Sequence, residues 1–180
     1  MRADAPISSA LFARARGGAP LNANVKTHHM ADTRAQKNAE TWLLAHALPK
    51  VFGGTFSGRK VVLAWGGKFE FDAVSTDGSI VANVSTSSAR TAGNKLATAK
   101  IQKIKCDTLY LLHARDAKKR VLVFTEADML HHFEKEVRNG RFPKGVKLLH
   151  MALPETLQRE VERARKVASD ETSPVRRNAS

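Results

Sequence analysis

The chain has 180 residues, 42% of them hydrophobic, and 30 Lys and Arg against 17 Asp and Glu give it a net charge of +13. That length and apolar content fit one folded domain with tails and exclude a chain disordered throughout. No apolar run approaches the roughly 20 residues of a membrane span, and the lone Cys106 cannot form an internal disulfide, so a reducing, cytoplasmic location is expected.

Residues 1–30 mix Ala, Gly, Pro, Arg and Asn without periodicity and read as a flexible tail. No 7–15-residue apolar stretch follows Arg2, which excludes a secretory signal. Met30 opens a plausible start of its own, so residues 1–29 are expected to be dispensable or not made. The other tail is expected over 169–180. Between them, residues 31–168 form a single domain holding a net charge of about +10. A folded domain with that excess attracts polyanions, and nucleic acid is the commonest one in a cell. An acidic protein partner is the competing reading.

Asp32 or Thr33 can cap a helix that runs to about Leu48 and is ended by Pro49. VFGGTFSG is a glycine-rich loop without the Lys-Ser/Thr ending of a nucleotide P-loop. Strands follow over 59–65 and 68–75, then the Asp77-Gly78 turn and a third strand over 80–87, together an antiparallel meander. NKLATAKIQKIKC is helical, with Ala97, Ile101 and Ile104 on one face. Asp107 is expected to introduce a fourth strand over 108–114, followed by a strand over 120–125. A helix stopped by Gly140, a strand over 146–153 and a helix from Pro154 to about Val167 complete the chain. Trp42 and Trp65 lie among apolar neighbours and are expected in the core, and with 6% aromatic residues a stacking platform for single strands is not expected. Ser85 to Ser88 lack the Gly-X-Ser-X-Gly frame of a nucleophile elbow.

The long first helix, the segment KFEFDAVSTDGSIVANVSTS and the basic helix after it resemble the PD-(D/E)XK superfamily, over roughly residues 33–125. The resemblance implies an α/β fold with an α-β-β-β-α-β restriction-endonuclease-like core, a mixed central sheet flanked by helices, and here a C-terminal β-α-β-α extension. It also implies Mg²⁺-dependent hydrolysis of phosphodiesters. The family places an Asp on one strand beside an acidic residue and a Lys, two apart, on the next. Residues two apart on a strand face one side and aim at one point. Carboxylates suit Mg²⁺, which takes oxygen ligands.

By that resemblance Asp72 is the first carboxylate, with Glu70 on the same strand face and Glu40 from the first helix as further metal ligands. The acidic-X-Lys triplet reads Asn83-Val84-Ser85. Asn83 keeps a carbonyl oxygen for a metal but brings no charge, and Ser85 has a hydroxyl where an ammonium is expected. Lys100 or Lys103 can supply the ammonium from the following helix, where Gln102 also matches a residue some members carry. Arg90, Lys95, Lys100, Lys103 and Lys105 form a candidate phosphate-tracking stripe. Three readings stay open: a dead site on a DNA-binding scaffold, an active Mg²⁺-dependent nuclease whose groups have migrated, and a fold that never held this site. DNA is favoured over RNA as partner, no membrane is expected, and a homodimer and a non-catalytic protein-interaction module are left open.

Overall fold

The computed structural model describes residues 33–172, with side chains to residue 168. The expected tail over 1–30 and the proposed start at Met30 lie outside those residues, as does 173–180. Residues 169–172, assigned above to the second tail, continue a helix instead.

The helical run from Arg34 is α1 (Arg34–Trp42), a π-helical turn (Leu43–Ala47) and α2 (Leu48–Phe52), which follow one another without a break. Pro49 does not end it. Proline lacks an N–H and crowds the carbonyl four residues back, so an unbroken α-helix is costly there. Here the turn before it widens, the Leu48 N–H reaching back to the Leu43 carbonyl, and Pro49 falls in the first turn of α2, where no N–H is needed. The widened turn also keeps the buried stripe in line: Ala35, Ala39 and Leu43 follow at spacings of four, then Leu48 at five.

Three strands come next: β1 (Phe56–Val62), β2 (Lys68–Ser75) and β3 (Ile80–Ser85), an antiparallel meander. The β2–β3 turn is built around Asp77, whose Oδ1 accepts hydrogen bonds from Ser75 Oγ (2.6 Å), Ser79 N–H (3.0 Å) and Ser79 Oγ (2.9 Å). Gly78, at φ 74°, supplies the left-handed residue that the turn requires.

α3 (Thr98–Leu112) is longer than expected, and it absorbs most of the strand anticipated over 108–114. TLYLLHA is an apolar run, but its buried members Thr108 and Leu111 continue the face of Ile101 and Ile104 at helical spacing. Then come β4 (Lys119–Phe124), α4 (Ala127–Arg138), β5 (Lys147–His150) and α5 (Glu155–Thr172). The core order is therefore α-β-β-β-α-β with β4 as its last strand, and the extension is α-β-α, one strand fewer than anticipated.

The five strands form one mixed sheet in sequence order, with β3, β4 and β5 parallel. Alternation along β4 divides the core. Leu122 and Phe124 meet Ile101 and Ile104 of α3 and Met129 and Phe133 of α4. On the other face Val121 and Val123 meet Ala39, Leu43 and Leu48 of the first helical run and Val161 of α5. The result is an α/β domain in three layers.

Its hydrogen bonds hold the exposed Asp77 carboxyl down to about pKa 2, against an ordinary 3.8. A depressed carboxylate stabilises the fold above its unfolded pKa, and that contribution disappears as pH falls through the folded value. Asp77→Ala is therefore expected to melt at lower temperature than the wild type at pH 7. The gap should narrow between about pH 4 and pH 2 in paired thermal melts.

Candidate functional site

The site begins at an irregularity in the sheet. Between Ser57 and Arg59 the β1–β2 register shifts, so that Gly58 alone faces the two residues Asp72 and Ala73. This is a β-bulge on β2. A Cβ at Gly58 would stand 3.4 Å from the Asp72 carbonyl oxygen, the closest approach across it. Phe71 and Val74 both pack toward α3, whereas Ala73 packs toward α1. Counting back from Val74 in strict alternation would put residue 72 in the α3 core. The extra residue turns Asp72 out of it.

Beyond the bulge β2 and β3 part, since their ladder holds only Ala73↔Ala82 and Val74↔Val81. Side chains replace the missing rungs. Asp72 Oδ2 accepts the Val84 N–H at 2.7 Å, and Asn83 Oδ1 accepts the Asp72 N–H at 3.3 Å. No hydrogen bond among the described residues reaches Asp72 Oδ1. Asn83, nearly fully buried, therefore positions Asp72 as much as it offers an oxygen.

Other elements add charge at this point. The side chain of Glu40, half-buried on α1, makes no hydrogen bond or ion pair among the described residues. Burial raises its pKa, the Asp72 carboxylate raises it further, and Lys103 and Lys37 pull it down. Asp72 is raised mainly by burial, against the Val84 N–H and Lys103, while Asp107 and Glu70 add to the rise. Lys103 thus acts on both carboxylates, and its Nζ lies 2.7 Å from Asp107 Oδ2. Asp107 is buried, and Lys103 is its partner one helical turn earlier.

Glu40, Asp72 and Lys103 thus lie within electrostatic reach of one another, with Asn83 hydrogen-bonded to Asp72 and the exposed Glu70 near enough to act on Asp72. Ser85 is not engaged there. Its hydroxyl accepts the Ser87 N–H at 3.4 Å in a local turn. The five cations of the expected stripe divide into three places. Arg90 and Lys95 belong to a small hairpin before α3, where Arg90 donates to the Asn94 carbonyl and Lys95 to Thr91. Lys100 and Lys103 share one flank of α3. Lys105, about 200° round from Lys103, lies 3.8 Å from Glu136 of α4. Gln102 is exposed.

Two residues escaped the sequence reading. Asp107 was assigned to the start of a strand, and the Lys103/Asp107 spacing of four becomes meaningful only on a helix. Trp65, expected in the core, is 52% exposed, because the chain turns at Ala64–Gly67 before the apolar run can continue.

No group of three or more His, Cys, Asp or Glu side chains among the described residues is arranged to hold a metal ion. Mg²⁺, however, keeps much of its water and needs only one or two carboxylates. Glu40 and Asp72 are two carboxylates within electrostatic reach of each other, one of them with an oxygen that no described residue hydrogen-bonds. Comparison with family models, with curated proteins and with solved structures gives no match.

The raised carboxylates carry a stability cost. A group whose folded pKa lies above its unfolded one loses stability as pH rises from the unfolded value, 4.5 for Glu40, through the folded value. Glu40→Gln should therefore stabilise the fold at pH 7 by up to about 1 kcal/mol, a gain that fades below pH 4.5 in denaturant titrations. Lys103→Ala works in the opposite direction. It leaves Asp107 buried without its partner, and a loss of about 1–3 kcal/mol is expected, read from the same titrations.

Proposed function

We propose that this chain is a nucleic-acid-binding protein of restriction-endonuclease-like architecture, with DNA as the preferred ligand and with a weakened Mg²⁺-dependent phosphodiester hydrolysis site. The observation that carries this reading is the meeting of Glu40 from α1, Asp72 from the bulge of β2 and Lys103 from α3 within electrostatic reach of one another. The net charge of +13 supports a polyanionic ligand. The order α-β-β-β-α-β supports the architecture.

In this reading Glu40 and Asp72 would hold the metal, and Glu70 would add negative charge at the rim. Mg²⁺, when bound, supplies charge neutralisation for a phosphoryl group and acidifies water. Asn83 fixes the backbone of Asp72. Lys103 stands in for the ammonium missing at Ser85 and offers it to the anionic phosphate. Its pairing with Asp107 halts it at the site but also tempers its charge, which together with the neutral Asn83 accounts for a weakened reaction. A second reading, binding without cleavage, is favoured by those same neutral groups at 83 and 85.

DNA affinity should fall with salt at a log–log slope of about −3 to −4, if three or four of Arg90, Lys95, Lys100 and Lys103 meet phosphates. Cleavage of plasmid in Mg²⁺ should drop about 100-fold or more in Asp72→Ala. Equal residual cleavage in that variant would remove the hydrolysis site. Binding without any cleavage would leave the second reading. Salt-insensitive or absent binding would remove nucleic acid altogether and favour a protein-interaction module.

A further inference from the structure

We infer that the end of the sheet where β4 and β5 begin holds a pocket for a small phosphorylated organic molecule, a site independent of the nucleic-acid reading above. A cavity of about 430 Å³ opens there, inside the roughly 300–1,000 Å³ of small-molecule sites. Lys118, Lys119, Arg120 and Lys147 line it together with Phe52 of α2 and Val121, and no acidic residue does.

Strand alternation sets two of these cations on one face. Lys119 stands two residues before Val121 on β4, and Lys147 two before Leu149 on β5. Val121 and Leu149 both pack toward the first helical run, as Phe52 does, so the two lysines take that face. Lys147 pairs with Val121, which leaves the Cα atoms of Lys119 and Lys147 about 8 Å apart on adjoining strands. The Lys119 Nζ lies 5.9 Å from the centroid of the Phe52 ring, which holds the ammonium at the cavity wall.

This charge is uncompensated. None of the four cations has an ion-pair partner among the described residues. The Lys118 and Lys119 N–H groups both donate to the Ser79 carbonyl, which brings the β2–β3 turn close. Yet Asp77 of that turn is taken up by Ser75 and Ser79 instead. Arg120 is tied by Nη2 to the Ala114 carbonyl at 3.1 Å, so it lends its field to the cavity rather than a contact.

Four cations without a counter-charge complement a multiply charged anion, and a phosphate group carries about −1.5 to −2 at pH 7. The half-buried Phe52 and the buried Val121 add an apolar wall that a bare phosphate leaves unused. The fitting ligand is therefore organic, phosphorylated and of nucleotide size. It is also remote from the carboxylates. Lys119 pairs with Ile80 at the start of β3, whereas Asp72 holds Val84, about 13 Å further along that strand.

The test is calorimetric titration of the whole protein in EDTA with ATP and with tripolyphosphate, beside duplex DNA binding by anisotropy. ATP should bind one to one and more tightly than tripolyphosphate. Lys119→Ala/Lys147→Ala should weaken ATP binding about tenfold or more. Lys135→Ala/Arg138→Ala, which removes the same charge from exposed positions of α4, should leave it unchanged. Equal losses in the two double variants, or tripolyphosphate binding as tightly as ATP, would reduce the effect to net charge and overturn the pocket. If ATP does not bind while the β4–β5 variant alone loses DNA affinity, the phosphates are those of a nucleic-acid backbone and the small-molecule site is overturned. Failure of DNA to bind, with ATP binding as expected, removes the proposed function and leaves the pocket standing.

Discussion

A single replacement of backbone by side chain holds this site in shape. Where β2 leaves β3, the Val84 N–H would lack an acceptor, and an unpaired buried amide costs about 1–3 kcal/mol. The Asp72 carboxylate accepts it at 2.7 Å, while Asn83 returns the favour to the Asp72 N–H. Everything else in the site is arranged around this exchange. It fixes the carboxylate at the point of divergence, it leaves the second oxygen open, and it allows β1 and β2 to swing over the C-terminal half of α3. The aromatic run of Phe69, Tyr110 and Trp65 exists because those elements come together there.

The same point shows a fold working against itself in one place. Glu40, Asp72 and Asp107 enter from three elements with Lys103 as the cation common to all three. Burial lifts the first two carboxyls, so ionising them opposes folding. Elsewhere charges are paired in the ordinary way, as with Glu126 and Arg165 at 2.7 Å or Glu136 and Arg141 at 2.6 Å. Glu40, by contrast, has no ion-pair partner among the described residues, and Lys103 and Lys37 act on it only at longer range.

Much of this was legible in the sequence, and the parts that were not have definable causes. The meander, its Asp77-Gly78 turn and the helix after it follow from period and turn chemistry, and Asp72, Glu40 and Lys103 were identifiable as candidates. The bulge was not, because Gly58 on a neighbouring strand gives no local sign of facing two residues. The strand expected over 108–114 failed because a short apolar run fits either period, and burial of Thr108 and Leu111 on the face of Ile104 decides for helix. Trp65 was misplaced for the opposite reason: its apolar neighbours suggested a strand, while two following glycines allowed the chain to turn beneath it. Of the five cations, Lys105 alone is turned well away, about 200° round α3 from Lys103, a separation visible only once the helix is known.

The widened turn ahead of Pro49 has a consequence for how this helix tolerates change. Its five-residue step between Leu43 and Leu48 means that one residue is looped into the helix without moving the stripe on either side. Loss of a residue between 44 and 47 would return the spacing to four and keep the apolar stripe in phase, but it would set Pro49 inside an unbroken α-helix, against the carbonyl four residues back. The extra residue and the proline are therefore kept or lost together.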